Sequence, residues 1–197
     1  MPGPVREDGS LNEAAIVLLQ AVTGVGEELL HAVRIRPSRS NWLHAPWYRY
    51  HRGGAITIGR TIWFTRIWFE PHGLGDGSLR SSWRWLVHLA HEAGHLPQAE
   101  RFGRGFIAKA RYVSAFTWQY ASRALLLRVP VHDGSRLERE ADLGRNVLLQ
   151  VIGEAAERHP VIKAVHRDDV RAVREWCAMH IGPIAMAVQA YRDRYRT

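Results

Sequence analysis

Residues 83–96 constrain the possible fold and function of this chain most, because this apolar stretch contains His-Glu-Ala-Gly-His at positions 91–95. Its pattern predicts an α-helix, and in a helix residues i and i+4 lie on one face. His91 and His95 can therefore direct imidazole nitrogens at one point about 2 Å from each, which is the Zn–N distance. The Glu92 carboxylate can then reach a water at the open metal position and accept its proton. The alternative is a buried helix whose histidines are only hydrogen-bonded.

A third metal ligand has to come from elsewhere, because a catalytic zinc takes three protein ligands and leaves one position open. Residues 135–142 contain two carboxylates spaced by four, Glu138 and Asp142. We expect Glu138 to bind the metal and Asp142 to accept the N–H of a metal-binding histidine, which fixes the tautomer of that ring. Ser135 and Glu138 also form a capping-box pattern, which would place Glu138 at a helix start instead. Glu140 is the fallback ligand, although it points to another face of the predicted helix.

The two motifs together resemble those of the gluzincin zinc metallopeptidases. That resemblance implies a zincin-like fold with one zinc ion per chain, held by the two histidines and Glu138. It implies that Glu92 is the general base in hydrolysis of a peptide bond, and that the substrate is a peptide or protein. The metzincin extension is absent, because Gln98 and Arg101 stand where that family needs glycine and histidine.

A second resemblance concerns the stretch before the zinc helix. Residues 56–64, followed by a loop and that helix, are similar to a small bacterial peptidase-like domain encoded with contractile injection systems. It implies an injection-system protein as a candidate partner. In gluzincins a strand in the place of residues 61–69 is the sheet edge that holds an extended substrate by backbone pairing. An ordinary strand paired on both sides is the alternative.

The length of 197 residues is sufficient for one domain with its own core. The patterns predict a mostly helical α+β class, with a small antiparallel sheet packed against the zinc helix. We expect a single domain over 1–197, made of an N-terminal helix (10–36), a small sheet (42–70), metal-site helices (81–153) and C-terminal helices (160–197).

Local signals predict where these elements begin and end. Ser10 is the expected N-cap of a helix that runs to about Val33, with Gly24 and Gly26 able to break or bend it. Residues 55–58 and 61–69 are predicted to be strands of a hairpin around Gly59-Arg60. Ser81 or Ser82 is the expected cap of the zinc helix, and Pro97 is expected to end or kink it. Two further helices are predicted at about 167–180 and 183–195.

A tetrahedral reaction intermediate needs a hydrogen-bond donor to its oxyanion. The predicted helix at 106–128 and the loop at 129–134 supply four candidates, between which the sequence does not choose: Tyr112, Tyr120, Arg123 and His132.

The net charge of +8 allows nucleic-acid, anionic-membrane or acidic protein partners. The aromatic and basic stretch at 42–52 favours packing on a sheet over stacking with nucleic acid, so a nucleic-acid partner is not expected. A zinc-stabilised module without catalytic activity is the other alternative. One cysteine, Cys177, permits no internal disulfide. With no secretory signal or transmembrane segment recognised, we expect a cytoplasmic protein, or one exported without a classical signal peptide.

Overall fold

The computed structural model describes residues 3–38, 54–103, 105, 107, 110–114, 136–153 and 156–195. These residues are mostly helical and include a three-stranded sheet, which confirms the α+β class. The helices are α1 (Glu13–Thr23), α2 (Glu27–Ala32), α3 (Leu79–Phe102), α4 (Arg136–Ile152), α5 (Pro160–His166), α6 (Val170–Met179) and α7 (Ile181–Arg194). The strands are β1 (Arg34–Pro37), β2 (Ala55–Ile58) and β3 (Thr61–Phe64). None of the described helices has the length and apolar character needed to span a membrane.

The cap of α1 is Asn12 and not the predicted Ser10. The Asn12 side chain accepts a hydrogen bond from the backbone N–H of Ala15 and donates one to the carbonyl of Val165, 2.8 Å away. The Ser10 hydroxyl instead donates to Asp8. Asn12 therefore caps the helix and joins it to α5. Capping rules consider only neighbouring residues, so they do not predict this long-range contact.

The predicted helix to about Val33 is divided into two helices at the glycines that were expected to break or bend it. Gly24 takes the left-handed conformation, with φ of 71°, and ends α1, as expected of glycine at a helix C-terminus. A second short helix, α2, follows, and residues 34–37 then form strand β1. The sequence did not predict this strand, because four residues are too few to show the alternation of apolar and polar side chains that identifies a strand.

The sheet is mixed and not antiparallel throughout. Strands β2 and β3 form the predicted hairpin, in which Ile58 pairs with Thr61 and Gly59 turns with φ of 62°. β3 ends at Phe64, earlier than the predicted residue 69, and β1 pairs with it in parallel to give the order β1-β3-β2. Since β3 is paired on both sides, it is the ordinary strand of the two alternatives and not the free sheet edge.

Helix α3 carries the histidine motif and is longer than predicted. Its N-cap is Ser78, whose side chain accepts from the backbone N–H of Ser81, so the predicted caps Ser81 and Ser82 lie inside the helix. Pro97 does not end the helix, which continues to Phe102. The missing N–H of Pro97 removes one backbone hydrogen bond, but α3 packs along α4, α1 and β2. Beyond the proline, Gln98 is bonded to Leu137 of α4 and Glu100 to Arg60.

Two glycines allow α3 and α4 to approach closely. A Cβ atom at Gly94 would lie 2.5 Å from the Cα and 2.7 Å from the carbonyl oxygen of Ala141. On α4, a Cβ atom at Gly144 would lie 2.9 Å from the carbonyl oxygen of Ala90 and would overlap Thr23. Both contacts involve backbone atoms, which cannot rotate away. The short distance between the helices therefore depends on glycine at both positions.

Gly94→Ala is expected to destabilise the protein, although alanine is the better helix former by about 1 kcal/mol. Forced overpacking of this kind costs typically about 1–3 kcal/mol, and here the separation of α3 from α4 would also weaken metal binding. Urea unfolding and a zinc titration measure both effects. Gly182→Ala is the matched control, because Gly182 lies in α7 with no atom near its absent side chain, and we expect this variant to be at least as stable as wild type. A Gly94→Ala variant as stable as Gly182→Ala would contradict the close-packing argument.

The C-terminal part contains three described helices where two were predicted. α5 was missed; His159 caps it and Pro160 occupies its first position. Pro160 has no N–H that needs a partner, so it fits there. Gly182 and Pro183 lie in the first turn of α7 instead of separating two helices. The buried apolar residues of α1, the sheet, α3 and α4 form one cluster with those of the C-terminal helices.

Candidate metal centre

Helices α3 and α4 bring His91, His95 and Glu138 together at their interface. The Nε2 atoms of the two histidines lie 3.3 Å apart. The Oε2 atom of Glu138 lies 3.4 Å from Nε2 of His91 and 3.9 Å from Nε2 of His95. His95 and Glu138 are buried, with 5% and 4% of their surfaces exposed. These three residues form the one potential metal-ligand cluster found in the described part of the chain.

The size of this triangle suits a zinc ion. Tetrahedral bonds of about 2.0–2.1 Å place neighbouring ligand atoms about 3.4 Å apart. A circle drawn through the three atoms has a radius of about 2.1 Å, so a point just outside their plane lies at zinc-bond distance from all of them. Two imidazoles and one carboxylate are a donor set that zinc takes in catalytic sites, with the fourth position left open. The residues present therefore fit the expected metal.

Asp142 lies one helical turn beyond Glu138 and contacts the Nδ1 atom of His91, on the side of the ring away from the triangle. The His91 Nδ1 and Asp142 Oδ1 atoms are 2.6 Å apart, and Arg145 pairs with the same carboxylate. Burial alone would lower the pKa of His91, but the hydrogen bonds to Asp142 and Glu138 and the charge of Glu92 outweigh it and raise that pKa to about 10. In a neutral ring, donation from Nδ1 leaves the lone pair on Nε2, which faces the triangle.

His95 is oriented by a partner that sequence reasoning missed. Its Nδ1 atom lies 3.0 Å from Oε1 of Gln98, and the Gln98 amide donates to the carbonyl of Leu137 at 2.9 Å. Gln98 thus ties the second histidine to the first turn of α4 and fixes its tautomer in the same sense as that of His91. The i, i+3 spacing of His95 and Gln98 on one helix was a signal that could have identified this pair.

The Glu92 carboxylate is buried next to the triangle, with 5% of its surface exposed. Its Oε2 atom accepts a hydrogen bond of 2.6 Å from the hydroxyl of Thr57 on β2. Nothing in the sequence connects Thr57 with the motif, because 35 residues separate the two. The hairpin is further attached to α3 by an ion pair of 2.6 Å between Arg60 and Glu100.

Tyr112 is the candidate oxyanion donor that the described residues bring toward this site. It is buried against Phe102, with ring centroids 5.4 Å apart. Burial, followed by the negative charges of Glu92 and Glu138, raises the pKa of its hydroxyl, so Tyr112 stays a neutral donor. The other candidates, Tyr120, Arg123 and His132, lie outside the described residues, as does the stretch at 42–52.

The fallback ligand Glu140 points away from the histidines, as its place on the helix predicts. Its carboxylate pairs with Arg136 at 2.9 Å and with Arg101 at 3.8 Å. Ser135, the other member of the capping-box pattern, lies outside the described residues. The short distance from Glu138 to His91 therefore supports ligation by Glu138 without testing a cap.

Zinc affinity is expected to continue to increase as the pH is raised above 7, because a proton competes with the metal for His91. An ordinary imidazole, with a pKa of about 6.5, would confine this competition to acidic solution. With a pKa of about 10, His91 of the metal-free protein is protonated at neutral pH and must lose that proton when zinc binds. The apparent affinity should therefore increase about tenfold per pH unit between pH 7 and 9, with about one proton released per zinc.

Chelator competition and calorimetry in buffers of different ionisation enthalpy measure these two quantities. Asp142→Asn is the matched variant, since it removes the charge that holds the proton on His91 and should flatten the dependence above pH 7. A wild-type affinity that is constant from pH 7 to pH 9 would contradict the protonated state of His91.

Comparison with known proteins identifies no relative: no family model matches the chain, and no curated protein or solved structure matches it significantly.

Proposed function

We propose that this protein is a zinc-dependent peptidase of the gluzincin type, with a zincin-like arrangement of its metal helices. The observation that carries the proposal is the triangle of His91, His95 and Glu138 with the buried Glu92 carboxylate next to it. A bare pair of histidines at i and i+4 would not need a carboxylate from a second helix. Nor would a histidine packed only for stability need Nδ1 partners that turn its other nitrogen toward a common point.

The zinc ion would be held by the two Nε2 atoms and by Glu138. When bound, it supplies Lewis acidity that makes water acidic and polarises a carbonyl group. Glu92 accepts a proton as water adds to the carbonyl carbon of the scissile bond. Glu92 then gives this proton to the departing nitrogen as the C–N bond breaks, so one water is consumed and the carboxylate is restored.

Two further features support a peptide as substrate. Tyr112 has a neutral hydroxyl that is close enough to Glu92 and Glu138 for their charges to raise its pKa, and such a hydroxyl suits a donor to the oxyanion. Strand β2, and not β3, is the sheet edge that lies along α3: among the described residues β2 pairs with β3 alone. An extended peptide can pair with such an edge and so present its scissile bond to the helix beneath.

The test begins with the metal content of protein purified without chelator, measured by mass spectrometry. About one zinc per chain is expected from a site with three ligands. The zinc-loaded protein is then incubated with a library of quenched fluorescent peptides, and cleavage that stops on zinc removal and returns on its addition supports the proposal. Bound zinc without cleavage of any peptide would favour the inactive zinc-stabilised module. Absence of zinc, even after it is added, would exclude the metal site itself.

A further inference from the structure

We propose that Thr57 is a positioning residue for Glu92, a role that rests on the peptidase function proposed above. Thr57 is part of β2, and only 3% of its surface is exposed. Its hydroxyl oxygen lies 2.6 Å from Oε2 of Glu92 and 3.2 Å from the backbone carbonyl oxygen of the same residue. The hydroxyl thus contacts the general base at both its main chain and its side chain.

The shorter of these contacts has the length of a charge-assisted hydrogen bond. O–H···O⁻ bonds to ionised acceptors measure about 2.5–2.7 Å, and they are roughly twice as strong as neutral ones. A threonine hydroxyl has a single proton to donate, and the distances place it on the carboxylate. The bond therefore fixes one of the two carboxylate oxygens of Glu92.

The hydroxyl itself is held rigidly. Thr57 pairs with Ile62 of β3, in the middle of the hairpin, and its branched side chain has few rotamers open to it. The ion pair between Arg60 and Glu100 attaches the end of the hairpin to the last turns of α3. Two contacts, eight residues apart along α3, therefore set the position of β2 over that helix.

This arrangement gives the two oxygens of Glu92 different tasks. Oε2 is occupied by Thr57, and among the described residues no hydrogen bond is formed to Oε1. Oε1 is therefore the atom that takes the proton from water, while Thr57 prevents the carboxylate from rotating away. Thr57 belongs to β2, the strand that we expect to hold the peptide. Its hydrogen bond therefore connects the general base directly to the substrate-binding edge.

Thr57→Val and Thr57→Ser separate the hydroxyl from the shape of the side chain. Each is assayed, with zinc, on one peptide that wild type cleaves. Because small misplacements of a catalytic group cost up to about 100-fold, we expect Thr57→Val to lower kcat by roughly 10–100-fold. KM and zinc affinity should change by less than about twofold, since Thr57 is no metal ligand and the loss is confined to the transition state. Thr57→Ser keeps the hydroxyl and should recover most of kcat.

A second readout does not depend on activity. In a double-mutant cycle of urea unfolding with Glu92→Ala, Thr57→Val should raise the unfolding equilibrium constant about tenfold or more when Glu92 is present, and much less when it is absent. Additive effects would show that the hydrogen bond does not exist, and would overturn the inference whatever the activity.

The outcomes distinguish this inference from the proposed function. Active wild type with an equally active Thr57→Val variant would overturn the role of Thr57 and leave the peptidase standing. Wild type that binds zinc and cleaves nothing would remove the peptidase and the positioning role together, even if the cycle showed coupling, because the bond would then be purely structural. Loss of kcat in Thr57→Val, with recovery in Thr57→Ser and coupling to Glu92, supports both.

Discussion

Glu92→Gln is expected to abolish peptide hydrolysis while leaving zinc binding and the fold intact. A general base contributes roughly 10²–10⁴-fold to a rate, so kcat should fall at least about 100-fold. The amide oxygen can still accept the hydrogen bond from Thr57, which preserves the contact between β2 and α3. The amide cannot accept a proton from water, and this is the property that the reaction uses. The measurement is kcat on a peptide selected with wild type, together with zinc content and thermal stability.

Glu100→Gln is the matched control for this loss, because it makes the same chemical change on the same helix, two turns further along. Glu100 accepts a hydrogen bond from Arg60, and the amide oxygen of a glutamine can still accept it, so the attachment of the hairpin to α3 is kept. The control should therefore keep kcat within about threefold of wild type, as expected of a change outside the reacting groups. Hydrolysis by Glu92→Gln at the rate of Glu100→Gln would show that Glu92 is not the base.

Glu138→Ala is expected to weaken zinc binding more than any other single carboxylate change in the described part of the chain. Loss of a group that only orients a ligand typically costs about 10–100-fold in metal affinity, and loss of a ligand should exceed that range. The reason is the position of the buried Glu138 side chain, whose Oε2 atom lies within 4 Å of both Nε2 atoms. Competition with a chromogenic chelator measures the affinity.

Glu140→Ala is the control for Glu138→Ala, since Glu140 lies two residues away on the same helix and pairs with arginines. Its removal should leave zinc affinity within about threefold of wild type, as expected for partly exposed ion pairs. Equal losses in the two variants would mean that the third ligand is wrongly assigned. If Glu138→Ala kept its zinc affinity but lost about 1 kcal/mol of stability, the capping box would be its actual role.

The parts of the site that lie on one helix could be predicted from the sequence. His91, Glu92 and His95 share a helix, and so do Glu138 and Asp142, and within a helix the 3.6-residue period fixes which side chains are neighbours. The same local rules predicted the end of the metal-site helices near residue 153 and the hairpin around Gly59. They failed where a local signal had two outcomes, as for Ser10 and Asn12 or for Pro97, because tertiary contacts then decided between them.

The meeting of the two helices was decided only by the tertiary structure. The sequence contains Gly94 and Gly144 but does not show that a Cβ atom at either would strike the backbone of the opposing helix. It also gives no sign that Thr57 reaches Glu92, since such a contact depends on how β2 packs over α3. Helix geometry acts between near neighbours in the chain and is the same in every protein, whereas packing between distant segments depends on the shapes of all the surfaces that meet. The motif therefore predicted two metal ligands and a base, and the close approach of α3 and α4 placed the carboxylate of Glu138, the proposed third ligand, beside them.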